Sequence, residues 1–141
     1  MAFKEVLYDL KTEWFQTLNG VLSVPVYKDA APITEEGNYV LIRSEGSTNT
    51  GTTNSGFFRS AVIVVDINTY FPVIGNSKVA YDIAQEIDDL ILLTPNSFGI
   101  LLANHQITQI TLQSEDELYE DDNSVKIFRL IKRFEHFLNQ K

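Results

Sequence analysis

The sequence predicts an α+β fold: a single, mostly antiparallel sheet of four to five strands, flanked by two helices, with a long charged C-terminal β-hairpin. Three observations predict it. Phe57 to Phe71 is a long run of β-branched and aromatic residues, FFRSAVIVVDINTYF, the composition of a strand. Gly75 to Leu93, GNSKVAYDIAQEIDDLILL, places apolar residues at helical spacing behind a capping residue. The last third has two β-rich runs separated by turn chemistry at Asp122-Asn123. A long strand feeding a helix through one short turn is the unit that the rest must cover.

In chain order, Phe3, Val6, Leu7, Leu10, Trp14, Phe15 and Leu18 recur at helical spacing among charged residues, which predicts a first amphipathic helix. Asn19-Gly20 ends it, because glycine tolerates the left-handed backbone past a helix end. Trp14 reads as core. Val21 to Lys28 is short and apolar and carries Pro25, so it is an edge strand or an extended lead-in. Asp29 to Asn38 is a connection broken by Pro32 and Gly37. Tyr39 to Glu45 reads as a strand, with Tyr39, Leu41 and Arg43 on one face and Val40, Ile42 and Ser44 on the other.

Gly46 to Gly56, GSTNTGTTNSG, contains only Gly, Ser, Thr and Asn. It offers no apolar anchor, so a mobile hairpin tip is expected there. It lacks the lysine of a phosphate-binding loop. In the strand that follows, Ile63, Val65, Ile67 and Phe71 share one face, and Val62, Val64, Asp66, Asn68 and Tyr70 share the other. Both faces are apolar near the middle, which predicts a central strand covered on two sides. Asp66 and Asn68 are expected near its exposed end.

Pro72 to Gly75 is the predicted turn, and Asn76 or Ser77 the predicted cap. Val79, Ala80, Ile83, Ala84, Ile87, Leu90 and Ile91 form the buried stripe of the second helix, which Thr94-Pro95 ends. Asn96 to Asn104 is a loop with an apolar plug made of Phe98 and Ile100 to Leu102. His105 to Leu112 is a strand. Glu115 to Asp122, EDELYEDD, holds six carboxylates in eight residues, without the spacing or glycine of a calcium loop. It is a solvated hairpin arm. Ser124 to Phe137 has apolar residues at helical spacing, yet follows turn chemistry and would complete the sheet, so a strand is predicted. With Asp122-Asn123 as a two-residue turn, Asp116 faces Arg129 and Glu120 faces Val125.

The length, 141 residues, suits one domain over 1–141 with one sizeable core. The absence of cysteine excludes disulfides and thiolate metal sites. The N-terminus carries charge at once and shows no signal-peptide pattern, and no apolar run reaches a membrane span, so synthesis in the cytosol is expected. A net charge of −8 disfavours tight binding to phosphate backbones. No nucleophile–base motif, metal-ligand set or dinucleotide fingerprint occurs, so no enzyme activity and no cofactor are expected. The only histidines, His105 and His136, approach each other if the last two strands pair around the turn; polar sheet positions are the expected role of both.

Pro25-Val26-Tyr27 after the first helix, Tyr39-Val40 opening a strand, the run VIVVDINTYF, and Ala80, Ile83, Ala84 and Ile87 in the helix form an ordered pattern. In these features the chain resembles the tail-completion and tail-terminator proteins of tailed bacteriophages, small neck components at the head–tail joint. The resemblance implies a non-enzymatic, ring-forming role in virion assembly. The partners would be copies of itself and neighbouring portal, connector or tail proteins, with no membrane involved. DNA would pass through without specific binding. The candidate interaction residues are Gly46, Asn49, Gly51, Asn54 and Gly56 in the expected loop, and Glu120, Asp121, Asp122, Lys126, Arg129, Lys132 and Arg133 on the arm. A monomeric module that binds a peptide or small ligand at a sheet edge is the rival reading; a Ser or Thr hydrolase has little support.

Overall fold

The computed structural model describes residues 4–32, 37–53, 56–71, 77–94, 97–122 and 125–141. The predicted turn at Pro72–Gly75, the cap at Asn76, the break at Pro95, Asn54 and Asn123 lie outside the described residues.

Helix α1 spans Leu7–Leu18 and buries Leu10, Trp14 and Leu18, three positions spaced by four that share one stripe. The Glu5 carboxylate accepts hydrogen bonds from the Val6 and Leu7 backbone N–H groups at 2.9 and 2.8 Å, so it serves donors that a helix start leaves unpaired. These bonds lower the Glu5 pKa. At the other end Gly20 takes φ +79°, the left-handed conformation expected of it.

Strands β1 (Val26–Lys28), β2 (Tyr39–Thr53), β3 (Gly56–Phe71), β6 (His105–Asp122) and β7 (Val125–Gln140) form one sheet in the order β1-β2-β3-β7-β6. Only the β1–β2 pair is parallel. β3 is central, as its apolar sequence predicts, and β1 is an edge strand, as Pro25 predicts. The Val40 N–H donates to Pro25 O at 3.0 Å and the Asp29 N–H to Ile42 O at 3.0 Å.

Gly46 to Thr53 is strand, a correction of the expected loop: Ser47 pairs with Ala61 and Asn49 with Arg59. The β-rich start of β3 offers a complete ladder, and polar Ser and Thr residues accept it without an apolar anchor. Two β-bulges interrupt this stretch, between Ser44 and Gly46 and between Asn49 and Gly51.

Helix α2 spans Lys78–Ile91 and buries Ala80, Ile83, Ala84, Ile87 and Ile91. Val79, expected in that stripe, is exposed. Ser77 precedes the helix without a side-chain capping bond. Beyond α2 lies a two-stranded sheet of β4 (Leu92–Thr94) and β5 (Ser97–Phe98), where the last residues of the helix and the start of a loop were expected. Gly99 makes this return possible: its N–H donates to Ile91 O at 2.9 Å, and a Cβ there would lie 1.9 Å from Leu90 O. Ile100 and Leu102 are buried as a plug, whereas Leu101 is 84% exposed.

The strand reading of the C-terminal segment holds, and its burial alternates residue by residue from Ile127 to Gln140. The hairpin register differs from the expected one. Asp122 pairs with Val125, Glu120 with Ile127 and Asp116 with Ile131, so each partner moves by two positions. A shift of two keeps every side chain on its face, which is why the facing pattern was still legible.

Both helices lie on the same face of the sheet, a correction of the two-sided cover expected for β3. Trp14 of α1 packs on Phe134 of β7 with ring centroids 5.3 Å apart. Lys132 of β7 reaches Asp88 of α2 at 3.2 Å on that same face. The core fills the space between, with Val40, Ile42, Ile63, Val65, Ile67, Phe128, Leu130, Phe134 and Leu138 supplied by the sheet.

Candidate functional site

The opposite face of the sheet, over which no helix lies among the described residues, carries alternate residues of the same strands. The pairings Leu41–Asp66, Arg43–Val64, Asp66–Ile131 and Asn68–Arg129 put these side chains side by side. Asp66 is the hub. It is 1% exposed, where an unpaired carboxylate would be costly. Arg129 meets it with two donors, Nη2 to Oδ2 at 2.5 Å and Nε to Oδ1 at 3.3 Å, the two-point geometry that suits a guanidinium. Arg43 Nη2 adds a contact at 3.4 Å, and Asn68 Nδ2 donates to Oδ1 at 3.1 Å. Asp66 and Asn68 therefore lie at the buried middle of the sheet and not at an exposed strand end. The cause is the long side chains of β2 and β7, which fold over β3 where no helix does.

The network continues outward. Arg129 Nη1 donates to Glu120 at 3.0 Å, and the Asp66 and Glu120 carboxylates hold the guanidinium well above its ordinary pKa. Arg133 bridges Glu45 of β2 at 3.1 Å and Asp116 of β6 at 2.9 Å. Tyr39 and Tyr70 pack with centroids 6.3 Å apart, and burial, with Tyr70 beside it, pushes the Tyr39 phenol up to about 12. A shallow cavity of about 370 Å³ opens beside this network, lined by residues that include Glu45, Gly46, Thr48, Ser60, Gln113 and Glu135.

The predicted interaction residues divide across this geometry. Arg129 and Arg133 stand in the open-face network, and Glu120 is held by Arg129 there. Lys132 lies on the helix-covered face at 7% exposure, paired with Asp88, so it joins α2 to the sheet. Lys126 is exposed and pairs in register with Asp121, next to the Asp122–Val125 pair. Gly46 follows the first bulge with φ +148°, Asn49 and Gly51 flank the second, and Gly56 opens β3 opposite Thr53. The carboxylates of the arm are less free than their sequence suggests, since Asp116 and Glu120 hold arginines and Glu117 accepts the Tyr81 hydroxyl. That bond leads the causes that raise the Tyr81 phenol to about 12.

The histidines do not meet: His105 is opposite Gln140, and His136 is opposite Ile110. His136 is fully buried and its Nε2 accepts the Trp14 indole N–H at 2.9 Å. Its Nδ1 lies 3.1 Å from Phe134 O and 3.2 Å from Ala61 O, so Nδ1 carries the proton of a neutral ring. Burial lowers its pKa to about 4. His105 is also buried, and burial together with Arg59 lowers its pKa. Among the described residues no group of three His, Cys, Asp or Glu side chains is placed to hold a metal ion.

The Asp66 hub is what sequence reasoning missed. The available signal was a carboxylate in the apolar middle of a central strand, which demands a cation, with Arg43 at the matching parity on the preceding strand.

No protein-family model matches the chain, and no curated protein matches it in sequence. Among solved structures, one chain of the virion of a native gene transfer agent particle matches with a TM-score of 0.68 at 14% identity, over 96% of this chain and 99% of that one. A second solved chain matches with a TM-score of 0.54 at 12% identity, over 94% of this chain and 96% of that one. At these identities the likeness is one of fold: the α+β arrangement is shared along nearly the whole length of each.

Proposed function

We propose that this protein is a structural virion component: a subunit of a homo-oligomeric ring at a phage head–tail interface, of the neck or tail-terminator kind. The observation that carries the reading is the end-to-end fold match to a chain of a gene transfer agent virion, in which neither chain leaves a large part uncovered. Its role is geometric and not catalytic. Head-to-tail contacts that close on rotation give a ring, and neighbouring portal, connector or tail proteins stack on it. With a net charge of −8, a channel through such a ring offers DNA phosphates little counter-charge, so DNA passes without being held. The protein is made in the host cytoplasm and resides in the virion; among the described residues no helix is long and apolar enough to cross a membrane. The acidic tip at Glu120, Asp121 and Asp122, and the bulged end of β2 at Gly46 and Asn49, are the surfaces offered to adjoining layers.

Native mass measurement of the purified chain, with electron microscopy of the same sample, tests this. Closed rings of identical copies are expected. A strict monomer that captures extended peptides along a strand edge would instead establish the rival reading, a peptide-binding module.

A further inference from the structure

Two long strand edges have no partner among the described residues. β6 is the last strand of the sheet along its whole length, and β2 is covered by β1 only at Val40, Leu41 and Ile42. Open edges present backbone donors and acceptors that invite another strand, and proteins commonly block them with charge, proline or a covering segment. Here the blocking is selective. Pro25 and β1 cover the first part of β2, and the carboxylates from Glu115 onward guard the second part of β6. Gly46–Thr53 and Gln106–Ser114 carry no charged residue.

These two unguarded stretches stand at the same height on opposite sides of the sheet. Thr48 pairs with Ser60, Ser60 with Phe137, and Phe137 with Gln109. The guarded stretches also share a height: Ile42, which β1 covers through Lys28, leads through Val65 and Lys132 to Glu115. Three successive antiparallel pairings make β6 antiparallel to β2. A second copy set beside the first in the same orientation thus brings its β6 against the first copy's β2, antiparallel and with both uncharged stretches level.

We infer that Gly46–Thr53 of one copy pairs with Gln106–Ser114 of the next copy, so that the sheet runs on from subunit to subunit. The contact is head-to-tail and uses different surfaces on the two copies, the type that closes into a ring when the rotation divides the circle. Strand addition supplies main-chain hydrogen bonds, and the absence of charge on both edges avoids burying unpaired ions. This rests on the ring reading above and specifies which surfaces build the ring.

The chain has no native cysteine, so cross-linking is clean. Thr48 and Gln109 are both exposed, and their register puts them on the open face. Thr48→Cys and Gln109→Cys proteins are treated separately, as a mixture and as a double variant with a short bis-maleimide, while hydrogen exchange of the unmodified protein is followed on assembly. The expected result is no product from either single variant, a cross-linked dimer from the mixture, and a ladder from the double variant. Amides in 46–53 and 106–114 are expected to become protected together. A single variant that links to itself would mean a two-fold edge contact and overturn the assignment. Rings that form without the mixed cross-link and without joint protection would overturn it while leaving the ring reading intact. A protein that stays monomeric at every attainable concentration would remove both.

Discussion

The two faces of this sheet solve the same problem by different means. Under the helices, alternate residues of β2, β3 and β7 are apolar and pack against α1 and α2, so water is excluded by hydrocarbon. On the open face no helix is available, and Asp66, Arg43, Arg129, Arg133, Glu45, Asp116 and Glu120 exclude water from the middle strand by covering one another. The first face holds the helices on the sheet; the second is a polar surface of charges paired across the strands. The comparison shows why a central strand can look two-sided in sequence while only one side meets a helix. Val64 is buried on the face that, among the described residues, no helix covers.

Substitutions should separate the two faces by size of effect. Phe134→Ala opens a cavity beneath Trp14 on the covered face, with an expected cost of about 3–5 kcal/mol, read by denaturant unfolding. A cost below that of Asp66→Ala would reverse the ranking of the faces.

Acid titration probes a buried polar group of the covered face. The folded-state pKa of His136, about 4, is below the unfolded value of about 6.5, so the unfolded chain takes up the proton first as pH falls. This histidine's contribution is therefore fully present above pH ~6.5 and declines towards pH ~4, by roughly 3 kcal/mol in total. Trp14 fluorescence should report the loss. His136→Gln should flatten that part of the profile; an unchanged slope would show that other groups cause it.

On the open face, Asp66→Ala leaves Arg129 without its main partner and should cost about 1–3 kcal/mol. Asp66→Leu combined with Arg129→Met should recover much of that loss, because a matched apolar pair avoids desolvating two charges. Recovery of stability without recovery of assembly would assign the network to surface shape. The smallest effect is expected from Arg133→Ala, about 0–1 kcal/mol, since its partners Glu45 and Asp116 are largely solvated. A thermal scan in low and high salt is sufficient to check it.

Both helices, the central strand and the edge position of β1 were legible because each depends on local periodicity or on a single proline. The end of β2 was not, since Gly46 to Thr53 owes its strand form to its pairing with β3. The register of the last hairpin was also hidden: Asp122, Asn123 and Ser124 are all turn-forming residues, and sequence alone does not choose between neighbouring pairs of them. For the candidate site, Arg129, Arg133 and Glu120 were picked out by charge. Their hub was not, because Asp66 gains its meaning from Arg43 and Arg129, which lie far from it in sequence. Lys132 was misplaced for the converse reason: charge suggested a surface role, and its even position on β7 points it under α2.

The proposed role as a ring subunit of a virion neck is tested most directly by a cryo-electron microscopy map of particles that contain this chain. The expected result is a closed ring of this fold between the portal and the tail, with one axis through the DNA channel. Particles complete without the chain, or copies scattered elsewhere on the particle with no ring at that level, would contradict it.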